Sequence, residues 1–194
     1  MRSCAIAGCV ASSVYTGHVA IALGARGVRR DLPLWVAVVA SQAPDWIAVI
    51  LSGLGARASA ELWSHAVPFV LLGAGAAAVI VRLLTRSSGA ALATLAVYLS
   101  HPLADLVTGH KPLWSGGPPV GLWLIDRAVP DFLVQSSLCV LGWVLYRRSL
   151  PPHVRRRLTA AVPLVALLAL QGVSDLVVFV RKPSERTVDS GVTQ

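Results

Sequence analysis

Charge is what this sequence lacks most. Only 13% of its 194 residues are Asp, Glu, Lys or Arg, where soluble globular domains carry about 25%. That deficit excludes an ordinary water-soluble domain, because there is too little polar surface to cover one. Cysteine is scarce as well: Cys4, Cys9 and Cys139 are an odd, scattered set without CxxC spacing. This argues against a zinc finger or a disulfide framework and suits small apolar residues in helices. No glycine-rich phosphate loop and no Ser-His-Asp nucleophile elbow occur, and there is no internal repeat. What the chain does have is apolar residues, 55% in the AVILMFWYC class, and a mean hydropathy of +0.68. A bilayer is the solvent that tolerates such a surface.

A spanning helix needs roughly 20 apolar residues. Six runs meet that measure, at 4–24, 33–54, 65–84, 90–108, 129–147 and 158–180. The expected fold is all-α, a polytopic transmembrane helical bundle with five to six membrane helices. Residues 1–181 form its single domain, and 182–194 a polar, disordered tail. Ser12, Ser13, Thr16 and His18 interrupt the first run, which reads as retained rather than as a cleaved leader. It is also the doubtful span, since a helix starting near Thr16 is too short to cross alone. Gly24 and Gly27 are expected to close it, and Gly73, Gly75 and Ala76 to Ala78 to give the third run a face for close helix contact.

Most of the arginines behind the net charge of +8 sit in clusters between apolar runs: Arg26, Arg29 and Arg30; Arg82 and Arg86; Arg147, Arg148, Arg155, Arg156 and Arg157. This is the distribution of loops flanking membrane helices, with those loops facing the cytoplasm. It is not that of a nucleic-acid-binding face, and no nucleic acid is expected as partner. The long loop 109–128 is rich in Gly and Pro and reads as irregular.

Against this background ionisable residues stand out. An Asp at the centre of a membrane helix costs roughly 2.5–3.5 kcal/mol on insertion scales. Such residues normally face a bundle interior and are functional by default. His101 and Asp105 are spaced to share one helix face. His65 begins the third run, at the depth where the fourth run ends. Asp45 follows Pro44, which should kink the second helix and free a carbonyl. His18 joins the others at the same depth only if its helix starts late, near Ser12 or Thr16. Three His and two Asp at matching depth suit a divalent cation, zinc first. His110 is a candidate additional ligand or second-shell donor. Asp126 and Asp131 read as caps of the fifth helix, Asp175 as a hydrogen-bonding partner near Gln171, and His153 as solvated.

The order Gly17-His18, Pro44-Asp45, Ser64-His65 and His101-Pro-Leu-Ala-Asp105, followed by the loop from Pro112 to Gly121, resembles a family of bacterial membrane-bound metal-dependent hydrolases. These are also described as LexA-binding, inner-membrane-associated hydrolases. Within it the chain looks closest to a permease-like multi-pass branch, over roughly residues 16–145, with a more distant similarity to zinc-dependent phospholipase C. The resemblance implies a site in the bacterial cytoplasmic (inner) membrane. There His18, Asp45, His65, His101 and Asp105 would hold one or two divalent metal ions and cleave a phosphoester of a lipid or lipid-linked substrate. Membrane lipids would be its partners. The chain departs from the family at Trp46-Ile47, where a second acid is usual, at Trp63, and at Gln135, where a carboxylate is expected. The alternatives are a transporter or ion-binding membrane protein without hydrolytic activity, and a structural or partner-binding membrane protein.

Overall fold

The computed structural model of the chain describes residues 15–56, 59–109, 111–115 and 117–189. It is helical, with α1 Tyr15–Val28, α2 Leu34–Gly53, α3 Ala60–His65, α4 Val67–Thr85, α5 Ser88–Thr108, α6 Ala128–Ser149, α7 Pro152–Arg155 and α8 Val162–Asp189. Four of these, α2, α4, α5 and α6, are long and apolar enough to cross a membrane, and they mark the chain as a membrane protein. Helix α4 is the most apolar of the four, with a mean hydropathy of 2.2. Leu71, Leu72, Val79, Ile80, Leu83 and Leu84 on it are exposed, as a face turned to lipid requires.

The outer runs differ from expectation. The described part of the first is the 14-residue α1, about 21 Å long at the α-helical rise. The expected positions 4–14 lie outside the described residues. In the sixth run, the apolar helix is Val162–Val177. The backbone of α8 then continues to Asp189, through residues read from the sequence as a disordered tail.

Gly24 and Gly27 do not close α1, which runs on to Val28. They serve contact instead. A Cβ on Gly27 would meet the Leu145 backbone, one on Gly142 would meet the Ala20 carbonyl, and one on Gly17 the Gln135 side-chain oxygen. So α1 and α6 run parallel with their backbones nearly touching, as small residues allow within a bilayer. In α4, by contrast, Gly73 makes room for the Tyr98 ring and Gly75 meets nothing. The apolar core is correspondingly built from small side chains: Ala22, Val36, Ala37, Val81 and Ala90 around Leu32 at one end, and Val70, Ala74 and Tyr98 nearer the other.

The end that carries the arginines is tied by a short network. Arg29 donates to Asp31 twice, at 3.1 and 3.0 Å, and Ser87 Oγ donates to Asp31 at 2.5 Å. Ser87 in turn caps α5 by accepting from the Ala90 amide at 3.0 Å. The Arg29 guanidinium and the Ser87 hydroxyl lower the Asp31 pKa to about 2.

At the opposite end, the loop after α5 is less irregular than expected. Lys111–Pro112 and Pro119–Val120 pair antiparallel, Lys111 opposite Val120. A 3-10 turn, Leu124–Asp126, then leads into α6. Backbone bonds fasten this loop down: Val67 donates to Leu113 at 3.0 Å, Leu122 to Leu106 at 2.8 Å.

Candidate metal centre

Four helices deliver side chains to one point near the loop-covered end. His18 is the fourth residue of the described part of α1. Helix α2 runs without interruption through Pro44, and Asp45 follows it. Proline's missing N–H leaves Ala40 without its helical donor. The side chain that arrives takes the next carbonyl, Ser41, which accepts from His101 Nδ1 at 2.7 Å. His65 ends the short α3 rather than opening the third span. The chain turns extended at Ala66 (φ −67°, ψ 142°) before α4 begins with Pro68 in its first turn. Pro102 does not break α5, so His101 and Asp105 keep their one-turn spacing.

All five side chains are buried, His101 completely. His65 Nε2 lies 3.3 Å from Asp45 Oδ1 and 3.2 Å from Asp105 Oδ2. His101 Nε2 lies 3.6 Å from Asp45 Oδ1, 3.4 Å from Asp105 Oδ2 and 3.3 Å from His65 Nε2. His18 sits beside this group of four. Its ring stacks on His101 with centroids 4.0 Å apart, and its Nε2 is 3.3 Å from the other Asp105 oxygen, Oδ1.

The tautomers follow from the partners. A carbonyl only accepts, so His101 carries its proton on Nδ1, toward Ser41. The Ser64 hydroxyl gives its one hydrogen to Ala60 O at 2.9 Å, so its oxygen accepts from His65 Nδ1 at 2.6 Å. Neutral imidazoles held this way turn both Nε2 lone pairs inward, onto two carboxylates. In that state neither Asp45 Oδ2 nor Asp105 Oδ2 receives a hydrogen bond from them. Such a set of acceptors in a buried place calls for a cation.

The spacing fits one. Four atoms bound tetrahedrally to zinc at about 2.0–2.1 Å stand roughly 3.3 Å from one another. The measured separations among His65, His101, Asp45 and Asp105 run from 3.2 to 3.6 Å where given above, and all four donor atoms fall within 4.8 Å of each other. Two imidazoles and two carboxylates are also a donor set that zinc accepts. These four residues can hold a metal ion.

The remaining sequence candidates go elsewhere. His110 lies outside the described residues. His153 is exposed in α7. Asp126 falls in the 3-10 turn before α6. Asp131 stands in the first turn of α6, as a capping acid would, but its side chain is buried and bonded to Gln171 Nε2 at 3.3 Å. Asp175 accepts from the same nitrogen at 3.0 Å. Thr16 donates to the Gln171 oxygen. The bond between Asp175 and Gln171 is the one expected from the sequence, whereas the Ser64 and Ser41 supports carried no signal strong enough to single them out, since serines cost little in an apolar run.

No protein-family model matches the chain, and neither a curated protein nor a solved structure does.

Proposed function

We propose that the chain is a metal-dependent hydrolase of the bacterial cytoplasmic membrane that cleaves a phosphoester of a lipid or lipid-linked substrate. Its five to six crossings would comprise the four long apolar helices, the apolar part of α8 and, as the sixth, the run that contains α1. The observation that carries the reading is the convergence of His65 Nε2, His101 Nε2, Asp45 Oδ1 and Asp105 Oδ2, at 3.2 to 3.6 Å in the pairs measured. The order of motifs shared with membrane-bound hydrolases supplies the reaction class.

A divalent cation bound there with a coordination position open beyond the four side chains would activate water near neutral pH and offset charge on a phosphoester oxygen. The chain's own residues would do the rest. Ser64 and the Ser41 carbonyl fix the two imidazoles. His18 holds Asp105 Oδ1, which leaves Oδ2 for the cation. The carboxylates retain a thin exposed edge, with 9% of the Asp45 side chain and 10% of that of Asp105 open. The loop from Lys111 to Val120 is fastened above this end. The arginine clusters lie at the opposite end, which would place the site toward the outer leaflet. Transport is less well supported, because the buried charges gather at one end of the bundle rather than along it.

Metal analysis of detergent-purified protein is the test. The expected result is about one zinc-like ion per chain in wild type and loss of it in His101→Ala and Asp105→Ala. Release of headgroup phosphate from phospholipid should stop with a chelator and return with metal. A wild type that holds no stoichiometric metal would sink the proposal.

A further inference from the structure

On the far side of α1 from His18 lies a second buried polar group, built by α1, α6 and α8. Gln171 is saturated there. Its oxygen accepts from the Thr16 hydroxyl, and its nitrogen donates to Asp131 Oδ2 at 3.3 Å and to both oxygens of Asp175 at 3.0 Å. The two carboxyl groups therefore share one amide donor. Asp131 Oδ1 is buried with no partner among the described residues. One turn along α6, on the same face, Gln135 is 1% exposed. Thr16 of α1 completes the group through Gln171, and the buried Cys139 lies two turns further along α6, its thiol on the Thr16 carbonyl at 3.9 Å. Arg127, the basic residue of the preceding turn, is exposed.

Two carboxylates on one amide, Asp131 buried and Asp175 half-buried, repel each other, and taking up one cation relieves that repulsion. We propose that Asp131 and Asp175 form a second cation site in this protein, and that its ligand is a single proton shared between them. The direction of Gln171 selects the proton over a metal ion. The amide turns its nitrogen, a donor, to both carboxylates, whereas a metal ion would draw in its oxygen. The proton sits on one carboxyl oxygen and is donated to the other residue, so the pair carries one negative charge, which the Gln171 amide hydrogens meet. Raising the pH until that proton leaves sets two charges side by side between α6 and α8.

The proposal does not depend on the metal centre or on hydrolysis. Infrared spectroscopy of the full chain in detergent, with chelator present, tests it. A protonated-carboxyl band at neutral pH is expected in wild type and in His101→Ala, and its loss in Asp131→Asn and in Asp175→Asn. Thermal stability should fall from neutral to alkaline pH in wild type and less in either Asn variant. A wild type without the band, or a band untouched by both substitutions, overturns the proposal. A band abolished by sodium chloride but not by choline chloride does so too, since the ligand is then a metal ion.

Discussion

A serine hydroxyl has one proton to give, and Ser64 gives it to the Ala60 carbonyl. What remains for His65 is an acceptor, and that choice sets which imidazole nitrogen faces the cluster. Ser64→Ala is therefore expected to weaken metal binding by roughly 10-fold, the usual effect of losing an outer support of a ligand histidine. Ser41→Ala should leave binding unchanged, because His101 rests on the Ser41 backbone and not on its side chain. Titration of the two variants with zinc in competition with a chromophoric chelator measures both. The five His and Asp residues were legible beforehand because lipid makes any charge conspicuous. Consecutive antiparallel helices then brought them to one end. The carbonyl of Ser41 was not legible, since a backbone acceptor has no residue type to announce it. Asp131 was misread as a cap because a carboxylate in a first turn satisfies that pattern wherever its side chain turns.

Between elements, glycine sets the spacing. The parallel contact of α1 and α6 depends on Gly27 and Gly142, each facing backbone rather than a movable side chain. Gly142→Val has no soft neighbour to displace, and about 1–3 kcal/mol of destabilisation is expected, as for other overpacked sites. Gly75→Ala meets open space and should be neutral or slightly stabilising, because alanine is the better helix former. Thermal unfolding of the two variants in one detergent separates contact from propensity. The sequence pointed to the glycines of α4 for close packing, and to Gly24 and Gly27 as stops. Composition shows where small residues are but not which neighbour they meet, and α6 is more than a hundred residues downstream of α1.

Across the whole molecule, the two ends answer differently to pH. At the arginine end, Asp31 joins the α1–α2 turn to the cap of α5 and titrates well below the ordinary carboxylate range. A depressed carboxylate contributes stability above its unfolded pKa and loses it as pH falls through the folded value. The difference in thermal stability between wild type and Asp31→Asn should thus be full at pH 5 and close as pH approaches 2. A gap that instead widens in acid would contradict the assignment. The other end raises a question of time. Synthesis runs from the N-terminus, so His18 and Asp45 enter the membrane before His65, and all three before His101 and Asp105 exist. Until the rest of the cluster packs against α2, Asp45 is a charge in an apolar helix, at the roughly 2.5–3.5 kcal/mol that insertion scales assign. A cation held by Asp45 with His65, His101 and Asp105 would offset it, and that set is complete only once α5 has docked against α2. The cluster is thus also a checkpoint of assembly: a chain arrested before residue 101 holds a helix that the bilayer has reason to reject.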